Sequence, residues 1–146
     1  MRLLERAVER GLAYAFETTL GASTIPRMLS EAASKGGDVR VWYVGLDTVE
    51  RHIARVRARV KRGGHDIPEA DIRRRFDASR ANLIELVPAL AALRVYDNSA
   101  EADPAKGRAP LPRLVLQMEQ GRIVAPDDLG RTPQWAKAIV ARALRR

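Results

Sequence analysis

The segment Arg55 to Phe76, RVRARVKRGGHDIPEADIRRRF, narrows what this chain can fold into more than any other. Val49, Ile53, Val56 and Val60 recur at helical spacing into its first turns, and Phe76 and Leu83 continue the pattern from its end. Gly63-Gly64 breaks the first helix. Asp66-Ile-Pro-Glu69 reads as a capping box for a second, with Pro68 in its first turn. The segment carries eight Lys and Arg residues. A helix, a hinge, a capped restart and the triplet Arg73, Arg74, Arg75 describe a helical lid, at about 47–92, able to close on phosphate.

The flanking sequence supplies strands and helices by turns. Residues 2–11 read as a helix stopped by Gly11. Leu12 to Phe16 is a short apolar run with aromatics, expected as a buried strand ending near Glu17. Ser23 or Thr24 caps a helix that runs to about Lys35. Val39 to Leu46 reads as a strand, and Asp47-Thr-Val-Glu50 as a capping box opening the Val49 helix. The lid's second helix runs toward Leu93 with a bend at Pro88. Arg94 to Ser99 reads as a strand, 100–112 as a polar loop, Leu114 to Ala125 as a hairpin turning near Gly121, and Thr132-Pro133 as the start of a last helix. Alternating strands and helices predict one α/β domain over residues 1–146, with a mainly parallel sheet, flanking helices, and a C-terminal β-hairpin and helix. Such sheets take ligands beyond the carboxyl ends of their strands. That edge would gather Glu17, Thr18 and Thr19, Asp47, and Asp97, Asn98 and Ser99.

Composition excludes several chemistries. There is no cysteine, so disulfides, thiol nucleophiles and Cys-ligated zinc are out. The two histidines, His52 and His65, have no partner at ligand spacing, so no metal site is expected. No apolar run approaches a membrane span, and the charged N-terminal stretch is unlike a secretion signal, so the cytoplasm is the expected location and no membrane a partner. Net charge is +8, and 22 of 26 basic residues are arginine. Arginine's planar fork fits phosphate and carboxylate, which points to an anionic partner.

Arg51, Arg55, Arg59 and Arg62 fall on one stripe beside the apolar face of their helix. Arg73 to Arg75 sit early in the next helix, where the dipole disfavours positive charge, and a broken local rule points to function. A solvated basic face fits the same run. Glu17, Thr18 and Thr19 offer an acid and two hydroxyls to a polar substrate, or simply finish a strand. His65 could donate to a phosphate or hold its turn. Asp97-Asn98-Ser99 reads as a nucleotide-contacting loop or as an ordinary strand-ending turn. Trp135 reads as core. Neither GxxxxGK[ST], GxGxxG, GxSxG nor HExxH occurs.

YAFETTL, VRVWYVGL, the GGHDIP segment with its flanking arginines, and RVYDNS occur in this order. In that order and spacing the chain, over about residues 3 to 142, resembles the zeta-toxin-like P-loop kinases of bacteria, in particular their predicted-ATPase branch. The resemblance implies a P-loop-kinase-like fold and phosphoryl transfer from ATP, with Mg²⁺, to a small molecule; in the toxins the acceptor is a UDP-activated amino sugar. It implies that Arg55, Arg59, Arg74 and Arg75 form a catalytic lid that neutralises the transferring phosphate. Glu17, Thr18, Thr19 and His65 would bind substrate, and Asp97, Asn98 and Ser99 would lie near the nucleotide.

The family's phosphate-cradling loop, its Lys, its Mg²⁺-binding hydroxyl, its candidate base and its central strand match no part of this sequence. The expectation is therefore an incomplete kinase module, without intrinsic ATP or Mg²⁺ chemistry and with a gap in its sheet. A start lying upstream, a truncated gene, and a fragment kept as a binding or regulatory piece all fit. A basic nucleic-acid-binding module and an antitoxin-bound toxin fragment are the alternatives from other classes.

Overall fold

The computed structural model describes residues 2–101 and 111–145. The described elements are α1 (Arg2–Arg10), α2 (Thr24–Ser34), β1 (Arg40–Gly45), α3 (Val49–Val60), α4 (Glu69–Leu86), β2 (Ala92–Asp97), β3 (Arg113–Glu119), β4 (Arg122–Ala125) and α5 (Lys137–Leu144), with short 3₁₀ turns after α4 and before α5. Four strands form one mixed sheet in the order β1-β2-β3-β4. Only β1 and β2 run parallel, joined by the α3–α4 crossover; β2–β3 and β3–β4 are antiparallel. The fold is α/β with flanking helices, but the sheet is not mainly parallel. The reason is local: one crossover connects parallel neighbours, while β3 returns antiparallel to β2 and a tight hairpin at Gln120-Gly121 reverses β4; most of the loop expected at 100–112 lies outside the described residues.

The expected strand at Leu12 to Phe16 does not form. Residues 12–19 are exposed and irregular, and no backbone–backbone hydrogen bond holds Ala13 to Thr19 among the described residues. An apolar run becomes a strand only when a neighbouring strand supplies partners, and here none does. Leu20, at φ +54°, drops into the core and ends the segment.

The main core is built from one face of the sheet. Leu93, Val95, Leu116 and Met118 pack against Leu83 and Leu86 of α4 and Ile139, Val140 and Ala143 of α5, with Ile25 and Leu29 of α2 at its margin. Along β1, exposure alternates: Val41 and Tyr43 are half-buried, while Trp42 and Val44 remain 61% and 56% exposed. The helices therefore cover one face of β1 and leave the other bare. A second, small core of Ile53, Val56 and Ile72, flanked by Val49, Val60 and Ile67, holds α3 to α4. The 430 Å³ groove beside it is lined by Ile53, Val56, Val60, Ile67 and Ile72 together with charged residues that include Arg57 and Glu69.

Helix starts differ from the sequence reading by small, explicable steps. Thr48, not Asp47, caps α3, accepting from Arg51 N at 3.2 Å. Asp47 is drawn instead to the Arg51 guanidinium at 2.7 Å, and Glu50 to Arg73. α4 starts at Glu69 after Pro68, and Asp66 accepts only from the adjacent Ile67 N. At α2 the cap position is Ser23, with no side-chain cap bond. The 3₁₀ turn Val87–Ala89 ends α4 at Pro88, as the proline requires.

Candidate anion-binding face

Of the arginines on α3 and α4, some are paired with carboxylates and others are not. Arg51 pairs with Asp47 and Glu101, Arg57 with Glu69, Arg73 with Glu69 and Glu50, and Arg74 with Asp71. Each of these charges already has a carboxylate. Arg55 instead donates to the Ala100 carbonyl and Arg59 to the His65 carbonyl, both at 3.0 Å. Arg75 has no hydrogen-bond or carboxylate partner among the described residues. A carbonyl satisfies one donor and leaves the positive charge uncompensated.

His52 marks the face on which this charge collects. Its ring lies 6.4 Å from Phe76 of α4. Burial, and then the guanidiniums of Arg59 and Arg55, hold its pKa below the ordinary 6.5. Phe76 in turn stacks beneath Arg80, whose guanidinium carbon is 4.0 Å from the ring centre and 5.3 Å from that of Trp135. Arg80 also donates to the Leu46 carbonyl at the end of β1. Sequence reasoning weighed His52 only as a metal ligand and passed over Arg80; the Phe76/Arg80 spacing of four along a helix was the available signal.

Asp97, Asn98 and Ser99 are brought to the carboxyl end of the parallel pair, but the side chains of Asp97 and Ser99 and the backbone of Asn98 bond within the chain. Asp97 Oδ1 accepts from Ser99 N, Ser99 Oγ and Trp135 Nε1, and Arg113 approaches its Oδ2 at 3.6 Å. Ser99 Oγ accepts from Asp47 N at 2.8 Å, and Asn98 N donates to the Gly45 carbonyl. These bonds tie the ends of β1 and β2 together. Trp135 is not simple core: it is half-buried, and its ring covers Gly45 so closely that a Cβ there would lie 2.3 Å away.

Glu17, Thr18 and Thr19 are exposed and lie outside any strand. Thr18 Oγ1 accepts from Leu20 N, and Thr19 Oγ1 lies 3.5 Å from Gly21 N, so both hydroxyls shape their own turn. That turn is fastened to α4: Asn82 Nδ2 donates to the Leu20 carbonyl at 2.7 Å, and a Cβ on Gly21 would meet Arg75 Cβ at 2.8 Å. The turn that follows the acid–hydroxyl segment thus adjoins Arg75 at Gly21. His65 is exposed and contributes its carbonyl to Arg59 rather than its ring. Arg74, with its own acid at 2.8 Å, stands apart from the uncompensated group.

Among the described residues no cluster of His, Asp and Glu could hold a metal ion, and no helix is long and apolar enough to cross a membrane. No protein-family model and no solved structure matches the chain. A curated protein of Haemophilus influenzae, described as an uncharacterized protein, is 34% identical over 74 residues, covering 51% of this chain and 53% of that protein. The chain spans about half the length of the curated relative it matches.

Proposed function

We propose that this chain is the lid-bearing part of a zeta-toxin-like phosphotransferase and binds the phosphates of a nucleotide or phosphorylated small molecule. The observation that carries this reading is the division of the arginines. Arg55 and Arg59 help to lower the pKa of His52, and Arg75 lies beside Gly21, all without acids, while Arg51, Arg57, Arg73 and Arg74 each pair with a carboxylate. Uncompensated guanidiniums at a helix pair suit developing charge on a transferring phosphoryl group. ATP and Mg²⁺ would be handled only with a phosphate-cradling loop that this sequence does not contain. Phosphate binding without turnover is therefore the expected activity of these 146 residues.

Calorimetric titration with ATP and with pyrophosphate tests the reading. Binding is expected, and R55Q/R59Q should weaken it roughly 10- to 100-fold, the scale of one or two charge-assisted bonds. R73Q/R74Q should leave it nearly unchanged. Absence of binding to either ligand, or equal loss in both double variants, overturns the reading. The charge of +8 also supports a nucleic-acid-binding module. That reading takes over if duplex DNA or RNA binds with a steep salt dependence while ATP does not.

A further inference from the structure

Among the described residues β1 is an edge strand, with no strand paired to its outer side. Its six residues contain no proline or lysine, and it is unbulged along β2. Natural sheets usually protect such an edge. The same chain also carries an unused strand. Leu12 to Thr19 lies outside any helix or strand and makes no backbone pairing beyond Leu12, exposing Leu12 (58%), Tyr14 (45%) and Phe16 (37%), with the rings of Tyr14 and Phe16 stacked. Both ends are held within its own chain: Leu12 N donates to the Ala7 carbonyl, and Leu20 is buried and latched by Asn82. The segment so held leaves its own β1 edge unfilled.

The two pieces are complementary. β1 has one charged residue, Arg40, and residues 12–17 have one, Glu17. Laid antiparallel, with Glu17 opposite Arg40, the segment places Ala15 and Ala13 beside the exposed Trp42 and Val44. Phe16, Tyr14 and Leu12 then fall beside Val41, Tyr43 and Gly45, on the side the helices cover. In the isolated chain Arg40 leans on Asp38, an exposed pair that Glu17 can replace or join. We propose that two copies of this chain associate by reciprocal strand addition, the Leu12–Thr19 segment of each pairing antiparallel with β1 of the other. The contact is isologous and closes on itself. It is independent of the phosphate-binding reading.

Light scattering after size exclusion, over a protein-concentration series, tests it. The chain is expected to form a dimer that tightens with salt, because screening relieves repulsion between two copies of charge +8. A15P removes a donor from a segment that pairs with nothing in the monomer, so folding should persist while association falls at least about ten-fold. E17R and R40E should each weaken association, and E17R/R40E together should restore it. A monomer at every concentration overturns the proposal. So does A15P leaving the dimer intact, which would indicate β1–β1 pairing or stacking of bare faces. Slow amide exchange of residues 13–17 in a monomer also overturns it, by showing that the segment fills its own edge.

Discussion

Trp135 Nε1 donates to Asp97 Oδ1 at 3.3 Å, joining the turn before α5 to the end of β2. The same ring covers Gly45 and packs beside Arg80, so one indole closes the carboxyl end of the parallel pair. D97N keeps the shape but weakens the bonds from Ser99, Trp135 and Arg113; a loss of about 1–3 kcal/mol is expected in denaturant titrations. G45A should cost more than D97N, because a methyl 2.3 Å from the indole forces it out of place. Near-ultraviolet circular dichroism should change in G45A and hardly at all in D97N.

His52 should titrate below 6.5 in the folded chain, through burial and then through Arg59 and Arg55. The sign follows directly. The unfolded state takes up the proton at higher pH, so this group's contribution is complete above about pH 6.5 and declines as pH falls through the folded pKa. Proton NMR of the His52 ring checks the position. R55Q/R59Q should move it upward, and a bound phosphate should do the same.

Ile72 and Leu83 lie on one helix but in different cores. L83A, at a site with no solvent exposure, should lower global stability by about 2–5 kcal/mol. I72A should mainly loosen the lid. Hydrogen exchange would then rise in α3 and the first turns of α4, with β2 and β3 protected. Uniform loss of protection in I72A contradicts the division.

The turn at Leu20 and Gly21 depends on contacts that only small changes are needed to break. G21A sets a methyl 2.8 Å from Arg75 Cβ and should displace either the turn or that side chain. N82A removes the donor to the Leu20 carbonyl, with an expected cost of about 1 kcal/mol. If the turn and Arg75 act together on a phosphate ligand, both variants should lose affinity while thermal midpoints fall only a few degrees.

The helices, β1 and the hairpin were legible because periodicity and turn residues are local signals. Helix starts slipped where two acceptors competed: Asp47 had the right chemistry for a cap, but Arg51 four residues on binds it more strongly. The strand expected at Leu12 to Phe16 failed because pairing is not a property of the run alone. Sheet direction was misjudged for the same reason, since only one of the connections crosses over through helices. At the site, the arginine stripe could be read from spacing. Which arginines stay uncompensated could not, because that depends on acids such as Glu69 and Glu101 reached across a turn or from another element. The Trp135 contacts link residues 38 and 90 positions apart, beyond any local pattern.

α4 spans both cores as one unbroken helix of 18 residues, about 27 Å long. Its early turns pack on α3 and its late turns on the sheet core, with no joint between. A force that tilts α3 against the sheet must therefore act as a torque about Leu83 and Leu86, past the Phe76–Arg80–Trp135 stack. Such a tilt would register at the ends of β1 and β2 as a shift of one indole ring, which makes Trp135 its natural gauge.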